Sequence, residues 1–180
     1  QLYAGGSARV TVLSSAGNVG IGTTAPSSKL DVTTNALGTT QTTSSGLALV
    51  NTTAAAVGAQ QISPALRWSG FGWKTDVTAA SQAVDFRSYV VPVQGTANPT
   101  GYLSFGSSVN GAAYSDGQMV LTTAGNVGIG TTGPLSLLSV GASSQFQVNS
   151  TGDITTSSTG ELTIGGTGNS SIAGNVGIGT

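Results

Sequence analysis

The chain has 180 residues, of which only five are basic and six are acidic, and its net charge is −1. At 6% charged residues, against about 25% in ordinary globular proteins, it has no electrostatic basis for binding nucleic acid or an anionic membrane. Cysteine and histidine are absent, so disulfides and thiol nucleophiles are excluded and the commonest general base is missing. No run of 18 apolar residues occurs, so no membrane insertion is expected.

The chain carries 28 glycines and one methionine, and it begins with Gln1. We therefore expect a segment or a processed product of a longer chain. A surface this poor in charge does little to keep a monomer in solution. It fits a protein whose surfaces are largely covered by assembly.

The string Gly-Asn-Val-Gly-Ile-Gly-Thr occurs three times, at residues 17–23, 125–131 and 174–180. Three copies of a seven-residue string indicate a repeated structural unit. The glycine spacing reverses that of the dinucleotide-binding fingerprint, and no helical pattern follows it. The string therefore predicts structure rather than phosphate binding.

Strands are predicted around the first copy at 9–13, 18–21 and 28–32. A turn precedes each copy, and the same turn pattern, Ser/Thr/Asn-x-x-Gly, recurs at five sites. The closing glycine of such a turn can adopt the left-handed conformation of a three-residue hairpin loop. These structural turn glycines are Gly17, Gly125, Gly152, Gly160 and Gly174.

The turn predicts a pairing register in which apolar residues share one face of each hairpin. The expected pairs are Leu13 with Val19, Thr11 with Ile21, Leu121 with Val127, Met119 with Ile129, Val148 with Ile154 and Phe146 with Thr156. Hairpins this short are marginal alone, so cyclic assembly of parallel chains, favoured as a trimer, is expected to cover this face. Gly20 and Gly22 are expected to let the chains approach closely at the axis.

Residues 36–45 are polar and of low complexity, and we interpret them as a linker. Residues 46–121 hold eight of the ten aromatic residues and predict a small β-sandwich or jelly-roll-like domain. Its expected strands are 46–51, 65–69, 71–75, 83–93, 101–107 and 118–122. The turns expected between them are Ser69-Gly70, Gln94-Gly95, Asn98-Pro99, Asn110-Gly111 and Asp116-Gly117.

Residues 17–32, GNVGIGTTAPSSKLDV, resemble the GNVGIGTT-x-P-x-x-K-L-x-V segment of phage tail fibres and related virus-associated fibre proteins. The second copy departs from it at Leu137, where Lys is expected. The resemblance implies a homotrimeric, β-structured, extracellular virion fibre. The predicted fold is all-β, with intertwined trimeric β-hairpin or β-prism shaft repeats at 1–35 and 122–180 flanking the domain at 46–121.

Two kinds of ligand site can be weighed in the aromatic region. Trp68, Phe71, Trp73 and Lys74 are candidate glycan contacts, the alternative being that the two tryptophans fill the core of a small domain. Asp76 and Asp85 are the one plausible catalytic carboxylate pair, the alternative being surface acids with Asp85 near Arg67 or Arg87. No calcium-binding Asp pattern is present. No catalytic residue, metal or cofactor is therefore expected, and the protein is not expected to be an enzyme.

The sequence thus favours a structural component of a trimeric extracellular fibre that serves as a rigid stalk and in host-surface attachment. Its expected partners are copies of itself, other fibre or baseplate proteins and a cell-surface glycan. The expected location is a virion tail fibre or, alternatively, a cell surface. A cellular surface filament or adhesin is the alternative function, and a glycan-cleaving tailspike is the third.

Overall fold

The computed structural model describes residues 2–4, 7–14, 17–34, 38–40 and 46–157. Every regular element in these residues is a β-strand, which confirms the expected all-β class. The chain divides into two compact units, Gln1–Val50 and Asn51–Thr180. The third copy of the string, which begins at Gly174, lies outside the described residues. So do the turn glycine Gly160 and most of the expected linker.

The first unit contains one four-stranded sheet in the order β1-β2-β3-β4. β1, β2 and β3 are antiparallel neighbours, whereas β3 and β4 run parallel. The strands are β1 (Leu2–Ala4), β2 (Ser7–Val12), β3 (Val19–Ile21) and β4 (Leu30–Val32).

The second unit contains one eight-stranded sheet in which sequential strands are neighbours, from β5 at one edge to β12 at the other. All its pairings are antiparallel except the parallel pair β9 and β10. The strands are β5 (Leu66–Lys74), β6 (Ala80–Val93), β7 (Thr100–Val109), β8 (Ser115–Thr122), β9 (Val127–Ile129), β10 (Leu138–Val140), β11 (Phe146–Val148) and β12 (Ile154–Thr156).

The expected sandwich or jelly roll at 46–121 is wrong for the described residues. β5 to β8 form one layer and continue into β9 without a break. Alternation of apolar and polar residues is the same in a sandwich as in a single sheet, so the sequence pattern could not separate the two. The strand expected at 46–51 does not form either.

Two expected turns lie inside strands instead. Ser69 and Gly70 pair with Asp85 and Val84, so β5 is one unbroken strand of nine residues. Asp116-Gly117 lies within β8, where Gly117 has a φ of 71° beside a register shift in the β7–β8 pairing. The glycine there forms a bulge. The turns expected at 94–95, 98–99 and 110–111 do separate strands.

The turn glycines that the structure describes adopt the left-handed conformation, with φ of 62° at Gly17, 85° at Gly125 and 88° at Gly152. The expected register is confirmed in the two later hairpins. The structure pairs Leu121 with Val127 and Met119 with Ile129, and Val148 with Ile154 and Phe146 with Thr156.

The register expected for the first hairpin is wrong by one residue. Val12, not Leu13, lies opposite Val19, and Val10, not Thr11, lies opposite Ile21. Leu13 instead donates its backbone N–H to the carbonyl of Asn18, which leaves four residues in the loop rather than three. The longer loop keeps Val10 and Val12 on the same face as Val19 and Ile21, because a slip of one residue reverses every side chain of a strand.

Candidate functional site

The second sheet has one mainly apolar face, which we call the apolar face. It is continuous because the pairings align apolar residues across all eight strands, from Trp68 opposite Phe86 at one end to Val148 opposite Ile154 at the other. The same alternation puts Val12, Val19, Ile21, Leu30 and Val32 on one face of the first sheet.

No part of the described chain covers this face. Nine of its large side chains are between 40% and 57% exposed, and at roughly 150–250 Å² for a large side chain they present on the order of 800 Å² of apolar surface. The largest apolar patch on a monomer is typically about 300–600 Å², whereas a stable interface buries about 800 Å² per partner. The nine are Leu66, Trp68, Phe86, Val90, Val109, Met119, Leu121, Ile129 and Ile154.

The opposite face, which we call the loop-covered face, is buried by the chain's own loops between β7 and β10, where it carries mostly small or polar residues. At the β5 end of the sheet this face is exposed. Among the described residues Val120 is the only large hydrophobic side chain that is fully buried. Ser104, which lies opposite Val120, and Ser139, which lies opposite Gly128 of β9, are 1% and 0% exposed. The Ser104 hydroxyl accepts a hydrogen bond from the Gly117 N–H at 3.1 Å. The loop-covered face is therefore closed within one chain between β7 and β10, and the apolar face is open.

Most positions of the repeated string have a structural role. Val and Ile point to the apolar face, and the Asn side chain reaches the loop that follows: Asn18 Nδ2 donates to the Pro26 carbonyl at 3.2 Å, and Asn126 to that of Pro134 at 3.4 Å. The last Gly has a positive φ, 76° at Gly22 and 70° at Gly130. The string thus encodes a strand and the start of the loop that crosses over it to a parallel strand.

The middle glycine of the string lies beneath this loop. A Cβ at Gly20 would come 2.7 Å from the Thr23 carbonyl oxygen, and one at Gly128 would come 2.4 Å from that of Thr131. Gly20 lies between Val19 and Ile21 in β3, so it faces away from the apolar side of the first sheet. The expected role of Gly20 in the approach of chains at an axis is therefore wrong, since its own loop occupies that space.

The four candidate glycan contacts lie on or beside the edge strand β5 and do not converge on one face. Trp68 points to the apolar face, opposite Phe86, whereas Phe71 and Trp73 alternate to the loop-covered side. Trp68, Phe71 and Trp73 are 52%, 79% and 68% exposed, so they do not fill a core within one chain. Lys74 forms an ion pair with Asp76 at 2.9 Å.

A shallow trough of about 430 Å³ lies along β5 on the apolar face. Trp68, Phe86 and Val84 line it, and its floor is formed by Gly70 and Gly72. An added Cβ at Gly70 would meet no heavy atom within 4 Å. The two glycines therefore leave room for side chains from outside the strand.

The two acids that could have formed a catalytic pair have separate structural partners. Asp76, in the β5–β6 loop, accepts hydrogen bonds from Thr78 and pairs with Lys74. Asp85, in the middle of β6, is 7% exposed and lies 3.6 Å from Arg67 Nε. This favours the structural interpretation of both acids, with Arg67 rather than Arg87 as the partner of Asp85.

A polar cluster that the sequence did not reveal lies on the loop-covered face. Arg87 forms an ion pair with Asp116, with Nε donating to Oδ1 at 2.9 Å. Its guanidinium lies 4.0 Å from the centre of the Tyr114 ring and 5.0 Å from that of Tyr89. The hydrogen bond from Arg87 lowers the pKa of Asp116, and burial raises the pKa of Tyr89.

The described residues hold no group of three or more metal-ligating side chains. Nor does this part of the chain contain a helix with the length and hydropathy needed to cross a bilayer. Comparison with protein-family models, with curated proteins and with solved structures gives no match.

Proposed function

We propose that this chain is a segment of a homotrimeric extracellular fibre of the phage tail-fibre kind, in which it forms a stalk and takes part in attachment to a host surface. The observation that carries the proposal is the uncovered apolar face, which runs across every strand of the second sheet. A surface of this size and continuity favours permanent burial against other chains. A cellular surface filament or adhesin would use the same assembly.

Three copies fit the shape of this face better than two. Strands β9 to β12 have three residues each, which is about 10 Å of length, and β9, β10 and β11 each present an apolar residue at both ends. Two such narrow ribbons stacked face to face would leave both flanks open to water. Three ribbons close a triangular prism in which every flank meets a neighbour.

The test replaces an apolar-face residue with a charged one. Light scattering of the parent chain is expected to give the mass of three chains. Leu121→Asp is expected to weaken association more than about 100-fold, because burying an unpaired carboxylate costs several kcal/mol and each 1.4 kcal/mol is tenfold.

The matched control is Thr123→Asp, which adds the same charge two residues away in an exposed turn and should leave the mass unchanged. A parent chain that is a folded monomer at micromolar concentration would contradict the proposal.

Attachment through a glycan is supported by the exposed aromatic pair Phe71 and Trp73, which stays in solvent when copies cover the apolar face. Stacking of the two rings on a sugar would give the contact, and Trp68 would be buried in the assembly. Binding on a glycan array is expected to be lost in Trp73→Ala and kept in Val77→Ala, a fully exposed neighbour. Binding unchanged in Trp73→Ala would exclude this residue from the contact.

A further inference from the structure

The edge strand β5 lacks the features by which proteins block unwanted strand pairing. It is nine residues long, whereas the other outermost strands, β1, β4 and β12, have three each. It contains no proline, and its pairing with β6 has no bulge. Edges are ordinarily protected by short length, proline, bulges, charge or a covering segment.

Charge does not protect this edge either. The two cations of β5 are at its ends, and each has an acidic partner in the same chain, Arg67 with Asp85 and Lys74 with Asp76. Within the described residues no backbone hydrogen bond reaches the outer side of β5. The strand thus presents about 30 Å of unpaired backbone flanked by exposed aromatic side chains.

We propose that β5 of one copy pairs antiparallel with β5 of a second copy, around a two-fold axis at Gly70. Gly70 is the middle residue of Leu66–Lys74. A two-fold axis at Gly70 therefore pairs all nine residues of each strand and leaves the fewest backbone groups unpaired. This register also keeps the apolar faces of the two copies on the same side of the joined sheet. The reason is that residues directly opposite each other project to the same side, and here even-numbered residues lie opposite even-numbered ones.

The side chains are complementary in this register. Trp68 lies opposite Gly72 of the second copy, so each tryptophan enters the trough that the other copy leaves above its two glycines. Phe71 lies opposite Ser69, and Trp73 lies opposite Arg67, where a cation can rest on the aromatic face. No two like charges lie opposite each other, and each aromatic residue meets a smaller or a cationic one.

Pairing at β5 is separate from the proposed trimer, since it runs along the sheet edge and uses only the β5 end of the apolar face. It would join two copies, or two assemblies, end to end into a continuous sheet. Light scattering of the parent chain tests the trimer, and a covalent cross-link at β5 tests the edge pairing. The two proposals can therefore fail independently.

The experiment places one cysteine in a chain that otherwise has none. In Gly70→Cys the two thiols lie opposite each other, where Cα atoms are about 4.5–5.5 Å apart, within the range of a disulfide. Gly72→Cys is the matched control, because in this register its two copies are separated by four residues, roughly 13 Å along the strands. Neither added Cβ meets an atom closer than 3.8 Å, so both variants are expected to fold.

After mild oxidation of the full chain, non-reducing electrophoresis is expected to show a covalent dimer for Gly70→Cys and at least tenfold less for Gly72→Cys. Amide hydrogen exchange gives a second measure. The N–H groups on the outer side of 66–74 should exchange slowly when a second copy is paired with them, and this protection should be lost when dilution separates the copies. Equal cross-linking of the two variants would indicate contact through the apolar face and would overturn the proposal. So would the absence of a cross-link in Gly70→Cys.

Discussion

The two copies of the repeat that the structure describes, at 17–23 and 125–131, fold alike but bury different residues beneath their loops. In both, the middle glycine pairs with one residue from the preceding strand and one from the parallel strand that follows. In the first copy Gly20 is flanked by Thr11 and Asp31. In the second, Gly128 is flanked by Val120 and Ser139.

The difference shows which parts of the repeat the string controls. The string sets the strand, the apolar positions and the start of the loop in both copies. The flanking residues set the chemistry under the loop. Asp31 accepts hydrogen bonds from the Ser27 N–H at 2.9 Å, from the Ser27 hydroxyl and from Thr33, whereas Ser139 is fully buried and accepts one from the Ser136 N–H at 3.2 Å.

The largest expected effect comes from placing the acid of the first copy in the second. Ser139→Asp would put a carboxylate at a position with 0% exposure and no cationic partner among the described neighbours. An unpaired buried charge costs several kcal/mol, so we expect the second unit to lose cooperative unfolding or to unfold at a much lower temperature. Calorimetry of the full chain measures this.

The reverse exchange, Asp31→Ser, is the control and should lower the melting temperature only slightly, because Asp31 is only partly buried. Equal effects of the two exchanges would show that burial under the loop does not distinguish the copies.

An intermediate effect is expected from exchanging Thr11 and Val120. Thr11 is 1% exposed, and its hydroxyl has no hydrogen-bond partner among the described residues, whereas the equivalent Val120 needs none. Thr11→Val should raise the free energy of unfolding of the first unit by about 1 kcal/mol, and Val120→Thr should lower that of the second by about 1–3 kcal/mol. Urea denaturation measures both, and a loss of stability in Thr11→Val would mean that the hydroxyl is satisfied.

The smallest expected effect is a dependence on pH in the first copy. The pKa of Asp31 is lowered, first by the hydrogen bond from the Ser27 N–H and then by Thr33 and the Ser27 hydroxyl. A lowered folded-state pKa contributes stability above the unfolded-state pKa, near about 3.9, and that contribution is lost as the pH falls through the folded-state pKa.

The melting temperature of Asp31→Asn should therefore lie below that of the parent at pH 7, and the gap should narrow at pH 3. A gap of the same size at both pH values would show that the carboxylate charge plays no part.

Much of the local structure could be predicted from the sequence, because it depends on residues close together in the chain. The positive φ of the turn glycines follows from their lack of a Cβ. The register of the two later hairpins follows from the length of their turns. The predicted register of the first hairpin was wrong by one residue, because its loop has a fourth residue that keeps Val10 and Val12 opposite Ile21 and Val19.

Of the candidate site, exposed aromatic residues at 68–73 could be anticipated, but their division between two faces could not. Ser69-Gly70 has the composition of a turn, yet it lies within a strand because β6 supplies an unbroken partner. The ion pair of Arg87 with Asp116 joins residues 29 positions apart. No local signal pairs them, since their contact depends on the order of strands.

The sequence by itself determined that the chain is built of strands, that hairpin turns recur, and that Val and Ile of the repeated string share a face. These properties depend on backbone sterics and on the two-residue period of a strand. Tertiary structure alone decided that β5 to β12 form one layer, that the middle glycine lies under its own loop, and that the apolar face stays open. Strand order and the crossing of a loop depend on residues that are far apart in the chain. The alternation of apolar and polar residues along a strand is the same whichever layer covers that strand.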